Sequence, residues 1–213
     1  MISVADLGIS NLGSLLSALR RVGVDHRIVR HADELDSGDV VVLPGVGAFA
    51  DGMAALRAAG MVDALRAGVE REGFQVVGIC LGMQLLADES EEHGSHEGLG
   101  LVPGRVVRLT AGSAGLRVPN IGWCDLAVKG DVVPVELDGR AFYFVHSYHL
   151  RCHDDDDVAA TIDFGGTPVA AVVRRGPVYG MQFHPEKSQD AGLELLSRVL
   201  EEATRPSVPE EAR

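Results

Sequence analysis

The sequence predicts a single α/β domain, with a central mixed but largely parallel sheet flanked by helices. Three observations carry this expectation. Short apolar runs alternate with helically periodic runs through the first half of the chain, the pattern of strands joined by covering helices. No internal repeat and no linker long enough to separate two domains interrupts it. The 213 residues, 46% of them hydrophobic, fall within the range of one α/β domain with a sizeable core.

Ile2 to Asp6 reads as the first strand, followed by a turn over Gly8–Asn11. Leu12, Leu15, Leu16 and Leu19 then recur at helical spacing, with Ser10 and Asn11 placed to cap that helix. Asp25 to Arg30 forms the second strand. Val40–Leu43 forms the third, ending abruptly at Pro44-Gly45-Val46-Gly47. Helical character runs from Asp51 to Glu72 with a break near Gly60, and Gln75–Ile79 is a buried fourth strand that stops at Cys80. Beyond Gly100 the texture changes to short β-rich runs separated by turn residues: Gly104–Thr110, Leu126–Lys129, Ala141–Leu150, Val158–Asp163, Val169–Arg174 and Pro177–Phe183. Ala191–Leu200 closes the fold as an amphipathic helix. Residues 1–202 are expected to form the domain, and 203–213, with two prolines and several charges, a frayed tail.

Thirty-one acidic against nineteen basic side chains give a net charge of −12, which argues against nucleic acid or an anionic membrane surface as partner. No apolar stretch reaches membrane-spanning length, and the start lacks the regions of a secretory signal. Three cysteines without repeated spacing make no disulfide framework. A cytoplasmic location fits, and its reducing conditions would keep Cys80 free to react.

The chemistry concentrates in two segments. In Gly78-Ile79-Cys80-Leu81-Gly82 a nucleophile stands between two glycines where a strand turns into the helix Leu81–Leu86. This is the elbow of G-x-S-x-G with sulfur in place of oxygen. The helix N-terminus favours thiolate there. In Gly180-Met181-Gln182-Phe183-His184-Pro185-Glu186, Pro185 holds His184 extended at a strand end, and Glu186 can reach back to one imidazole nitrogen. A cysteine nucleophile needs such a base, and the base needs an acidic partner.

These segments resemble the two signatures of the class I (triad) glutamine amidotransferases. Further segments, among them Pro44–Phe49, Gly98–Gly104, Tyr143-Phe144-Val145-His146-Ser147-Tyr148 and His184–Ser188, make the chain most similar to the glutaminase subunits of imidazole glycerol phosphate synthase, in histidine biosynthesis. The resemblance implies hydrolysis of L-glutamine to glutamate and ammonia through a thioester. Cys80 would be the nucleophile, His184 the base and Glu186 its orienting acid. Oxyanion donors would come from Leu81 and the peptides around Gly45, Val46 and Gly47, with a peptide flip in that strand acting as a switch. It implies substrate contacts at Gly82, Gln84, Ser147 and Tyr148, and no cofactor or metal. It also implies a (β/α)₈ cyclase subunit as partner, received on a surface that includes Asn11, Pro119, Trp123 and Lys187, with ammonia channelled between the two. The chain has no room for a synthase domain of its own, so the acceptor chemistry is expected on another chain.

The resemblance is incomplete at the docking loop. The family reads Pro-His-Met-Gly-Trp-Asn where this chain reads Pro119-Asn120-Ile121-Gly122-Trp123-Cys124. The aromatic that usually follows the aspartate of the first turn is also missing from Asp6-Leu7-Gly8-Ile9-Ser10-Asn11. Three rivals therefore stay open: a diverged copy serving another synthase, a cysteine hydrolase acting on other substrates, and a scaffold without activity. His93 and His96 read as part of a solvated loop rather than a metal site, and Asp154–Asp157 as an exposed turn. Cys124 and Cys152 read as structural cysteines without partner residues.

Overall fold

The computed structural model describes residues 1–10, 12–111 and 115–205. In chain order the strands are β1 Ile2–Ala5, β2 His26–Val29, β3 Val40–Gly45, β4 Gln75–Cys80, β5 Glu89–Ser90, β6 His96–Glu97 and β7 Gly104–Arg108. They continue with β8 Asn120–Asp125, β9 Ala127–Val128, β10 Ala141–His146, β11 Tyr148–Cys152, β12 Val158–Phe164, β13 Thr167–Arg175 and β14 Val178–Met181. The α-helices are α1 Leu12–Arg21, α2 Phe49–Ala58, α3 Met61–Ala67, α4 Leu81–Leu85 and α5 Gln189–Thr204.

Eight strands form the central sheet in the order β2-β1-β3-β4-β14-β13-β12-β9. The contacts from β2 through β14 are parallel and the rest antiparallel, so the sheet is mixed as expected. Both faces are covered, and successive side chains of one strand enter opposite cores. Val40 and Val42 pack with α1 and α5, whereas Val41 and Leu43 pack with α2, α3 and α4. That is why β3 reads as an unbroken apolar run rather than an alternating one. A two-stranded ribbon, β8 with β10, adds Phe142 and Phe144 to the first core; a four-stranded sheet, β11-β7-β5-β6, adds Val106 and Leu150 to the second.

The helical stretch after β3 breaks at Gly60, which sits at φ 68 between α2 and α3. The run expected over Ala141–Leu150 is two strands in different sheets, β10 and β11, separated at Ser147. The docking segment is not a loop: Asn120–Asp125 is β8, paired antiparallel with β10. Asp155–Asp157 is a short 3₁₀ turn, but Asp157 is buried and paired with Arg175 at 3.1 Å, so that cluster is not wholly solvent-exposed. Helix α5 continues through Thr204, whose hydroxyl donates to the Leu200 carbonyl. Of the expected tail, residues 206–213 lie outside the described residues.

Register then sets the site. Gly45 pairs with Cys80, and Met181 with Ile79. The carboxyl ends of β3, β4 and β14 therefore meet along one edge, bringing Gly45–Gly47, Cys80 and His184 together.

Candidate active site

Cys80 ends β4 at φ 55 and ψ −110, a backbone conformation that L residues avoid. Holding it costs about 1–3 kcal/mol, and such strain collects at functional sites. The flanking glycines make the turn possible. A Cβ on Gly78 would lie 2.6 Å from the Gly82 carbonyl group, and one on Gly82 would lie 1.7 Å from the Leu43 carbonyl oxygen. The glycine spacing is thus a packing requirement of the elbow. Leu81 opens α4, where the first amides have no partner within the helix.

His184 is held from its backbone. Its N–H donates to the Tyr143 carbonyl at 3.1 Å, and its carbonyl accepts from the Ser188 hydroxyl at 2.7 Å. That hydroxyl accepts in turn from the Tyr143 N–H at 2.9 Å. Pro185 starts a 3₁₀ turn that folds Glu186 back, placing its Oε1 2.9 Å from His184 Nδ1, with both side chains buried. Burial alone disfavours an imidazolium, but the nearby Cys80 first, and then Glu186, outweigh it; His184 is held up to about 9. Among the described residues Nε2 has no partner that meets hydrogen-bond geometry. Thiol and imidazole are therefore neighbours not yet aligned, a contact of the kind that tightens around substrate.

Cys80 and His184 open into a cavity of about 330 Å³, at the small end of the range for ligand pockets. Of the sequence-predicted residues, Val46, Gly47, Leu81, Gln84, Pro119, Ser147, Tyr148 and Lys187 line it. Glu186 stands behind His184, and Gly45 borders a separate cavity of about 30 Å³ beside it. Gly82 is buried against Leu43 rather than on the wall. Three lining residues were not expected from the sequence, Glu92, Val145 and His146. Glu92 Oε2 accepts from the Phe49 N–H at 2.6 Å, anchoring a loop carboxylate at the start of α2.

The strand around Gly45–Gly47 is not set to serve an oxyanion as it stands, because the Val46 N–H donates to the Ile9 carbonyl at 2.9 Å. The Ser10 hydroxyl does not cap α1. It is buried with no hydrogen-bond partner among the described residues, at the small cavity that Glu186 also borders. Asn11 lies outside the described residues. Trp123 is 49% exposed on β8 and meets Tyr143 edge-on at 5.9 Å; Ile121 and Val46 are 62% and 45% exposed. Burial, and then Asp157 and Asp155, push the Cys152 thiol up to about 12, which disfavours a thiolate there. Cys124, expected to lack a partner residue, lies against Asn120.

The sequence signature described as "Glutamine amidotransferase class-I" matches residues 3–203. The chain belongs to the class I glutamine amidotransferases. Among its relatives, imidazole glycerol phosphate synthase subunit HisH of Bacillus licheniformis is 46% identical over 93% of this chain and 94% of that protein. HisH of Zymomonas mobilis is 44% identical over 94% of this chain and 95% of its own length, and HisH of Chlorobium chlorochromatii 41% identical over 94% and 100%. The crystal structure of a glutamine amidotransferase superposes with a TM-score of 0.72 at 26% identity, covering 93% of this chain and 98% of that one. PurLQS from Thermotoga maritima shares the fold, with a TM-score of 0.72 at 22% identity over 94% and 97%. Chemically, this amidotransferase places a thiol on a strained backbone beside a carboxylate-oriented imidazole in a small cavity, an arrangement suited to acyl transfer.

Proposed function

We propose that this chain is the glutaminase subunit of an imidazole glycerol phosphate synthase, hydrolysing L-glutamine and passing ammonia to a (β/α)₈ cyclase subunit. The observation that carries the reading is the convergence of Cys80, His184 and Glu186 at one sheet edge, with the 2.9 Å Glu186–His184 contact fixing which imidazole nitrogen faces the thiol. Cys80 Sγ attacks the amide carbon of glutamine, and its proton passes through His184 Nε2 to the departing nitrogen. The carbon–nitrogen bond breaks, leaving ammonia and a glutamyl thioester. Water then adds to the thioester with His184 as base, the carbon–sulfur bond breaks, and glutamate leaves as Cys80 regains its proton.

The cavity offers the substrate a Gln84 amide oxygen and the Glu92 carboxylate for its α-ammonium, beside Ser147 and Tyr148. Leu81 supplies one oxyanion donor. The second requires the Val46 peptide to turn from Ile9, and the exposed Val46 side chain gives a docking partner a handle on that turn. Without one donor the rate falls by about 10²–10³, which would restrain the uncomplexed subunit. Pro119 and Lys187 line this opening, and Ile121 and Trp123 are exposed on the strand that follows Pro119, so a partner seated over them would receive ammonia directly. This matters because ammonia in neutral water is mostly the unreactive ammonium ion. The glutaminase domain, expected over residues 1–202, extends with α5 through Thr204. Among the described residues no helix is long and apolar enough to cross a membrane, and the cytoplasm suits the free thiol.

The test is Cys80→Ala in complex with the cyclase subunit. It should abolish glutamine-dependent product formation while the complex still uses added ammonium salt. Retained glutamine-dependent turnover contradicts the mechanism, and a parent chain that releases no glutamate with its partner present favours the inactive scaffold.

A further inference from the structure

Asn120 and Cys124, two positions where the chain departs from the family pattern, touch one another on β8. Cys124 Sγ lies 3.6 Å from Asn120 Nδ2 and 3.8 Å from its Oδ1. Burial first, and the neighbouring Asp125 charge, push the Cys124 thiol up against the opposing effect of Asn120. The thiol keeps its hydrogen and can donate to Oδ1, which turns Nδ2 toward His146 on the facing strand. His146 Nε2 is 3.3 Å from that amide nitrogen. Its Nδ1 is 2.9 Å from the Tyr148 carbonyl, which can only accept; Nδ1 therefore carries the hydrogen and Nε2 must accept. His146 is buried, and burial pushes it down to about 4, so the ring stays neutral at working pH.

The same Tyr148 carbonyl accepts from Gln84 Nε2 at 2.8 Å. Gln84 Nε2 also donates to Gln182 Oε1 at 3.1 Å, and Gln182 Nε2 lies 3.9 Å from Cys80 Sγ. Both hydrogens of the Gln84 amide are engaged inside the protein, and its oxygen is the end left for a ligand. A polar chain thus runs from the partner-facing strand through the cavity wall to the nucleophile, with each donor matched to an acceptor.

We infer that Asn120 is a positioning residue for glutamine: by donating to His146 Nε2 it fixes the tautomer that shares the Tyr148 carbonyl with Gln84, and so holds Gln84 with its oxygen toward the substrate ammonium. A His146 with its hydrogen on Nε2 would set a lone pair against the Tyr148 carbonyl. Ser147, Tyr148 and Gln84 would then shift together. The inference rests on the proposed glutaminase activity.

The experiment is steady-state kinetics of the complex with the cyclase subunit, read for glutamine and separately for ammonium salt. Asn120→Leu removes the donor while keeping the side chain's branching and number of heavy atoms. It should raise KM for glutamine about tenfold or more, with kcat within threefold and with ammonium-dependent turnover and partner affinity unchanged. Asn120→His restores a ring N–H at the same distance from the backbone and should return KM to within threefold of the parent. Should N120L fail to fold, Asn120→Ser, whose hydroxyl stops short of Nε2, carries the same test in milder form. An unchanged KM in the donor-less variant overturns the inference. So does a fall in kcat together with partner affinity, which would mark a docking effect. A parent complex that releases no glutamate would instead refute the glutaminase reading itself.

Discussion

Replacing Glu186 by Gln keeps the side chain's size and removes its charge. The gap between the ordinary 6.5 of a histidine and the value of about 9 held by His184 corresponds to roughly 3 kcal/mol in favour of the imidazolium. Cys80 is the larger source of that preference and Glu186 the smaller, so E186Q should lower the value without returning it to 6.5. Because the folded-state value lies above the ordinary one, the stabilisation from the charged ring is complete below about 6.5 and is lost as pH rises through about 9. Activity should follow the same limb, since the imidazolium is the acid that protonates departing ammonia. In E186Q the alkaline limb should move to lower pH, and kcat should fall by on the order of 10²-fold or more, because an amide can also hold the ring in the wrong tautomer. The assay is glutamate release by the complex across neutral and alkaline pH. An E186Q limb coincident with the parent's would refute the assignment of Glu186 to His184.

Three further outcomes follow from the packing. Gly82→Ala puts a Cβ 1.7 Å from a backbone oxygen that cannot yield, so it should cost about 3 kcal/mol or more in denaturant unfolding. Arg27→Met leaves the buried Asp39 carboxylate with Ser3 but without its 2.6 Å guanidinium partner, and should destabilise by about 2–3 kcal/mol in the same measurement. Trp123→Ala should weaken partner binding by about 2 kcal/mol, roughly thirtyfold by titration, while the melting temperature of the isolated chain barely moves.

The convergence of Cys80, His184 and Glu186 was legible in the sequence because its constraints are local. A cysteine between glycines after an apolar run, and a histidine two residues before a glutamate across a proline, each specify their own geometry. β8 was not legible because its outward positions carry Ile121 and Trp123, exposed apolar side chains that erase the alternation by which a half-buried strand is recognised. The break at Ser147 is one residue long and leaves the hydropathy of β10 and β11 continuous. Glu92 sits in a charged loop that reads as solvated; only its bond to the Phe49 amide brings it to the cavity. Asn120 looked like a change in a docking surface, whereas its amide faces inward to His146, a contact set by cross-strand register that no local pattern records.

The most direct measurement is rapid acid quenching of the complex during glutamine turnover, followed by peptide mass spectrometry. The account predicts a glutamyl adduct on Cys80 that forms and decays at rates competent for turnover, and none in Cys80→Ala. Full turnover with no adduct, or with the adduct on another residue, would contradict it.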